Sequence, residues 1–392
     1  MSPIPRLRSH AGPHWLSYGF RPFFLLGSLF AAGAILAWLP AFFGEISIPT
    51  AFAPRDWHAH EMIYGFLPAI VTGFLLTAIP NWTGRLPLQG GALLALVLAW
   101  ALGRLAISTS ALWPASLVVA ADLLFPALVV AAAAREVVAG RNWRNLRVVV
   151  IVVLLLAGNA TFHWEVYRNG VADHGIRMGI AAVVMLIVLI GGRVVPSFTR
   201  NWLARENPGR LPASFGGFDA ASIAAAALAL VAWIAAPESR VAGVLLALAA
   251  LAQAVRLARW AGDRTWRDRL VLVLHVAYGF VPLGFALGAA AAFGLVAASA
   301  GIHAWTVGAA GLMTMAIMTR ASLGHTGRAL VASRTVQAIY ALLAAAALAR
   351  ICAVLRPGEA TLLLHAAWLA WVAAFAAFAV HYWPVLTGPR LR

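Results

Sequence analysis

The chain has 392 residues, 62% hydrophobic and 11% charged, with a formal net charge of +16 at neutral pH. A mean hydropathy of +0.86 excludes an ordinary water-soluble domain and points to a polytopic membrane protein. All 29 basic residues are arginine. They flank apolar runs instead of forming a surface patch, so lysine chemistry is excluded and no nucleic-acid partner is expected.

Arg6 and Arg8 precede an apolar stretch from Phe20 to Phe43, longer than a signal-peptide core, which predicts a retained first span. Eleven further runs of helical length follow at about 57–80, 90–109, 112–135, 146–167, 176–198, 218–236, 240–260, 269–294, 301–320, 332–355 and 360–383. The expected fold is an all-α bundle of twelve transmembrane helices in a lipid bilayer. An even number of spans puts both termini on one side. That side carries 22 of the 29 arginines against five opposite, so the termini are expected in the cytoplasm.

Span 2 opens on Trp57-His58-Ala59-His60-Glu61-Met62. Two imidazoles and a carboxylate at the rim of an apolar run are costly, and such groups mark function. His58 and His60 lie about 200° apart on a helix, so they share one metal only if the backbone is extended there. Glu61 either orients a ligating imidazole or sits exposed at the interface. Arg104 in span 3 and Asp122 in span 4 lie on consecutive antiparallel helices and read as an internal ion pair. His163 closes span 5 and His303 opens span 10, at the same end as His58 and His60. These four are the candidates for converging on haem iron or copper, which neutral imidazole suits. Cys352 is the single cysteine, so any metal would rest on His, carboxylate or Met.

At the opposite end, His275 beside Tyr278 in span 9 and His325 after span 10 make a second candidate metal pair, with a helix cap as the alternative for His325. Arg85, Arg193, Arg320 and Arg328 form a basic rim that fits anionic lipid at least as well as a haem propionate or an anionic substrate. His10, His14, His174, His365 and His381 read as interfacial histidines without a ligand.

Short words recur along the chain. Tyr18-Gly19-Phe20-Arg21-Pro22 returns as Tyr278-Gly279-Phe280-Val281-Pro282. His58-Ala59 with Thr83-Gly84-Arg85 returns as His303-Ala304 with Thr326-Gly327-Arg328, and Asn81-Trp82 as Asn201-Trp202. Spans 2, 6 and 10 thus look equivalent, which suggests one integral domain of three four-helix units, 1–140, 141–262 and 263–392. By analogy alone, that arrangement resembles the catalytic subunit of haem-copper oxidases.

Gly19-Phe20-Arg21-Pro22-Phe23-Phe24, Trp57-His58-Ala59-His60-Glu61-Met62, Asn81-Trp82-Thr83-Gly84-Arg85, Gly192-Arg193 with Pro196-Ser197-Phe198-Thr199, and the string from Met318 to Arg328 together resemble the NnrS family. The resemblance implies a bacterial multi-spanning protein containing haem and copper, associated with denitrification and nitric oxide stress. It also implies that His58, His60, His163, His275, His303 and His325 match the family's histidine pattern. No Cys-x-x-Cys-His occurs, so the haem expected is a non-covalent haem b. The reading is an inner-membrane haem and copper protein that binds or transforms nitric oxide or a derived species, with an electron donor as a further partner. A secondary transporter, and a sensor or metal-delivery protein that binds haem or copper without turnover, are the alternatives.

Overall fold

A computed structural model describes residues 12–83 and 87–391, without the side chains of 81–83 and 144; Arg85 therefore lies outside the described residues. The structure is 82% helix, with no strand among the described residues. Among the described residues, twelve helices are long and apolar enough to cross a membrane. They are α1 Phe20–Phe42, α2 Pro54–Pro80, α3 Gly90–Ser108, α4 Ala115–Ala139, α5 Leu146–Asn169, α6 His174–Glu206, α7 Gly217–Ala235, α8 Arg240–Arg264, α9 Arg269–Ala292, α10 Ser299–His325, α11 Arg334–Leu355 and α12 Pro357–Thr387.

Helix ends follow local chemistry. Pro54 opens α2, where its missing N–H costs nothing, and Asp56 lies in the first turn. Ser239 caps α8, Asp268 caps α9 and Ser333 caps α11, each accepting from a backbone N–H of the first turn. Gly170 stops α5 in a left-handed conformation (φ 79°) that a side chain would strain. The largest departure from hydropathy is α6, which runs on through Pro196 to Glu206. Its last turns are amphipathic and carry Arg193, Arg200 and Arg205, so apolar content alone ends the span too early.

Hydropathy also does not show three stretches of π geometry, at Glu61–Phe66 in α2, Ile187–Gly191 in α6 and Ala304–Gly311 in α10. They fall in the three spans whose sequence words recur. A π turn loosens the regular ladder and makes backbone carbonyls available to neighbouring side chains. Trp100 Nε1 donates to the Gly65 carbonyl at 2.9 Å, and Arg256 Nη1 to the Val188 carbonyl at 3.0 Å.

Compactness divides the chain into two units. The first takes the residues up to Gly179 with Ala321–Arg328 and the segment from Phe375 on; the second takes Ile180–Arg320 and Ala329–Ala374. In the first, α1 and α2 approach closely through glycines: a Cβ on Gly73 would lie 2.8 Å from Phe24 Cε1, and one on Gly27 2.7 Å from Ile70 Cδ1. The helix pairs α3 and α4, and α4 and α5, complete this packing. Arg21 donates to the carbonyls of Leu386 and Gly388 near the end of α12, where the helix leaves acceptors unpaired.

In the second unit α7, α8, α9, α10 and α11 pack in sequence around a buried polar core. Arg256 donates to Asp219 (3.1 Å) and to the Tyr278 hydroxyl (3.1 Å), in addition to Val188. Tyr278 donates to Gln253 Oε1 at 2.7 Å, and Gln253 donates to the Ser222 carbonyl at 2.8 Å. The buried guanidinium faces a buried carboxylate, so this core is balanced in charge and hydrogen bonding. Gly192 leaves room for it, because a Cβ there would collide with the Arg256 guanidinium. With Arg256 anchored at three points, Gly192→Ala is expected to destabilise the protein by about 1–3 kcal/mol. Thermal unfolding in detergent checks this, and an unchanged midpoint would contradict it.

Candidate metal centre

The first unit also has a buried polar core, in which two carboxylates face a single guanidinium and two imidazoles. His60 and Glu61 come from α2, Arg104 from α3, Asp122 from α4, and Asn159 and His163 from one face of α5, four residues apart. All six side chains are buried. Arg104 Nη1 donates to both oxygens of Glu61 at 2.9 Å, and its Nη2 to Asp122 Oδ1. The expected Arg104–Asp122 pair is thus present and gains a second carboxylate. Asp122 Oδ2 is met by three nitrogens: His163 Nε2 at 2.9 Å, His60 Nε2 at 3.1 Å and Asn159 Nδ2 at 2.8 Å. His60 Nε2 also lies 3.0 Å from Asn159 Oδ1.

Two consequences follow from these contacts. Three N–H donors on one oxygen exceed its two lone pairs, while His60 Nδ1 and His163 Nδ1 are buried with no hydrogen-bond partner among the described residues. With neutral imidazoles, Glu61 and Asp122 against Arg104 also leave one uncompensated negative charge. Phe52, Tyr64, Phe162 and Tyr167 surround the two rings; Phe162 lies 4.7 Å from His60, and Tyr167 stacks on His163 at 6.1 Å and 10°. In these apolar surroundings an unbalanced charge is expensive. A proton on His60 or a cation held by the two imidazoles and Asp122 meets the charge; with a cation, the Nε2 atoms present lone pairs to it and no longer crowd one oxygen. His60, Asp122 and His163 offer ligand atoms that all lie within 4.8 Å of one another. Glu61 Oε1, 3.5 Å from His60 Nδ1, then faces the nitrogen that carries the proton.

The remaining sequence candidates are placed differently. The helix has already begun at Pro54, so His58 points away from His60 and stacks on Trp38, with centroids 4.2 Å apart. His303 belongs to the second unit, where Nδ1 donates to the Ser299 carbonyl at 2.6 Å, which makes Nε2 its lone-pair nitrogen. His275, also in the second unit, meets Thr199 Oγ1 at 2.7 Å; that hydroxyl donates to the Val195 carbonyl, so His275 Nε2 is the donor. Its Nδ1 packs on Gly262, where a Cβ would lie 2.5 Å away. His325 is in the first unit, stacked on Tyr18 at 5.7 Å and beside Phe20 at 5.6 Å. Arg193 is exposed, the Arg320 guanidinium covers Phe198 at 4.2 Å, and Arg328 is half-buried.

Sequence reasoning did not assign Asn159 a role, and gave Asp122 only its arginine. The four-residue spacing of Asn159 and His163 on α5 was the available signal. Across nearly the whole length, the family model described as NnrS protein matches residues 14–390. The chain belongs to the NnrS family. Membership supports a membrane protein related to nitric oxide, and the His60–Asp122–His163 cluster is a possible metal site within an NnrS protein. Among curated proteins none matches the chain.

Proposed function

We propose that this NnrS protein binds copper at His60, His163 and Asp122 and haem b through His303, and acts on nitric oxide or a derived species in denitrification or nitrosative stress. The observation that carries the reading is the meeting of two buried imidazoles on one carboxylate oxygen, where two carboxylates share a single guanidinium. A monovalent copper ion brings the buried cluster to neutrality, and imidazole suits it. The contrast with the second unit supports this, since Arg256 and Asp219 there already balance and no imidazole joins them. His303 fits a haem ligand by its chemistry. Its Nδ1–H is committed to a backbone carbonyl, the hydrogen bond that commonly fixes an iron-ligating imidazole.

When bound, copper and haem supply one-electron chemistry and a binding site for a diatomic gas. The protein's own part is to hold the imidazoles with Asp122 and Asn159, to balance charge with Arg104, and to keep water out with the aromatic ring set. Nitric oxide dissolves in lipid, so a dry bundle offers it access. The arginine bias supports an inner-membrane protein with both termini cytoplasmic. An electron donor remains part of the proposal.

Visible spectra and metal analysis of the purified protein test the assignment. His303→Ala is expected to lose the haem Soret band and keep copper, and His60→Ala to lose copper and keep the Soret band. Loss of both metals, or of neither, in these variants would contradict it.

A further inference from the structure

Copper that reaches a buried, dry site needs a place to be captured and stripped of its carrier. The start of α6, the end of α5 and the start of α2 all lie in the first unit. At the end of α2 nearest His60, α6 begins with His174, and Glu165 in the last turns of α5 accepts from His174 Nδ1 at 2.8 Å. Glu165 also accepts from the backbone N–H groups of His174 (3.1 Å) and Gly175 (2.7 Å). These contacts explain Glu165 as the cap of α6. They do not account for the imidazole. A carboxylate accepting from this set leaves the proton on His174 Nδ1, which donates to it, so Nε2 carries the lone pair, on a side chain 56% exposed.

Met178 lies four residues on, on the same face of α6. It reaches α5 beside the His60–His163 cluster: a Cβ on Gly158, the neighbour of Asn159, would lie 3.1 Å from Met178 Cβ and 2.6 Å from the Tyr64 hydroxyl. Tyr64 contacts the His60 ring at 5.4 Å and donates to the Gly175 carbonyl at 2.5 Å, which ties this start of α6 to the cluster. Carboxylates and guanidiniums meet at this mouth: Asp56, Glu165 and Asp173 with Arg55 and Arg177. Asp56 is 1% exposed and one helical turn before His60; its Oδ1 has no hydrogen-bond partner among the described residues, and its nearest cation is Arg55 Nε at 3.6 Å. The fields of Glu165 and Asp173 both reach Asp56. Arg55 donates to Asp173 at 2.5 Å, a bond that holds the Asp173 carboxyl below its ordinary range, and the positive charge of Arg177 acts in the same direction.

We infer that His174 and Met178 form a capture site for cuprous ion, an imidazole at the exposed end and a thioether further in, which passes the ion to His60, His163 and Asp122. The inference rests on the copper reading of that cluster. The ion changes ligands without changing oxidation state: His174 Nε2 and the Met178 sulfur give up their bonds to it as the two buried imidazoles form theirs. Imidazole and thioether are the neutral donors that suit a monovalent copper ion, and a carboxylate pair alone would not select it.

The test is the rate of copper loading into copper-free, detergent-purified protein, with cuprous ion supplied from its bicinchoninate complex. His174→Ala and Met178→Leu are each expected to load about tenfold more slowly than wild type, and to reach the same final one copper per chain. Met178→Leu conserves volume, so it reads the sulfur and not the packing. Wild-type loading rates in both variants, with the normal final copper, would overturn the capture site and leave the buried site standing. Wild-type protein that takes up no copper would overturn both.

Discussion

Asp122→Asn is expected to weaken copper binding by at least about a hundredfold, about 2.7 kcal/mol, while the protein still inserts and retains its haem. The substitution conserves size and removes the charge that faces Arg104 Nη2, His60 Nε2 and His163 Nε2. It also replaces an anionic ligand atom by an amide, whose NH2 end would face the Asn159 Nδ2 donor. With neutral imidazoles the cluster would change from one excess negative charge to none, so a cation would no longer be needed for balance. Competition with a chelator of known cuprous affinity measures the loss. An affinity equal to that of wild type would mean that Asp122 is only the partner of Arg104.

Arg104→Met is expected to carry the largest stability cost in the molecule. It leaves Glu61 and Asp122 buried with no guanidinium, and breaking one member of a buried ion network typically costs about 3–5 kcal/mol. Adding Glu61→Gln removes one of the stranded charges, so the double variant is expected to recover a large part of that loss; non-additivity of this kind is the signature of a shared network. Unfolding of the copper-free variants in detergent reads both values. Equal stability of wild type, Arg104→Met and the double variant would show that the cluster carries no such burden.

The twelve spans were legible because each is an apolar run bounded by arginines or turn residues. The limits were set by chemistry that hydropathy does not record. Proline at the first turn started α2 three residues earlier than the apolar count, and the amphipathic tail of α6 carried it past Pro196 to Glu206. The π turns leave no mark in composition. At the site, His60, His163 and Glu61 could each be singled out as ionisable groups at a membrane rim, and the Arg104–Asp122 pair could be read from adjacent spans. Their union could not, because Asp122 looked satisfied once paired, and its second oxygen joins imidazoles 62 and 41 residues away. Sequence spacing also showed that His58 and His60 part company on a helix, and the stack of His58 on Trp38 shows which of the two leaves the cluster. His174 read as a surface histidine because Glu165, the residue that determines which of its nitrogens carries the proton, lies on a different helix.

X-ray absorption at the copper edge, on reduced purified wild type and His163→Ala with metal analysis of both samples, shows whether His60, His163 and Asp122 hold copper. One copper per wild-type chain with two imidazole nitrogens among its ligands is expected, and loss of that signature in His163→Ala with the haem Soret band unchanged. Copper with the same ligands in both proteins, or none in wild type from copper-supplied cells, would contradict it.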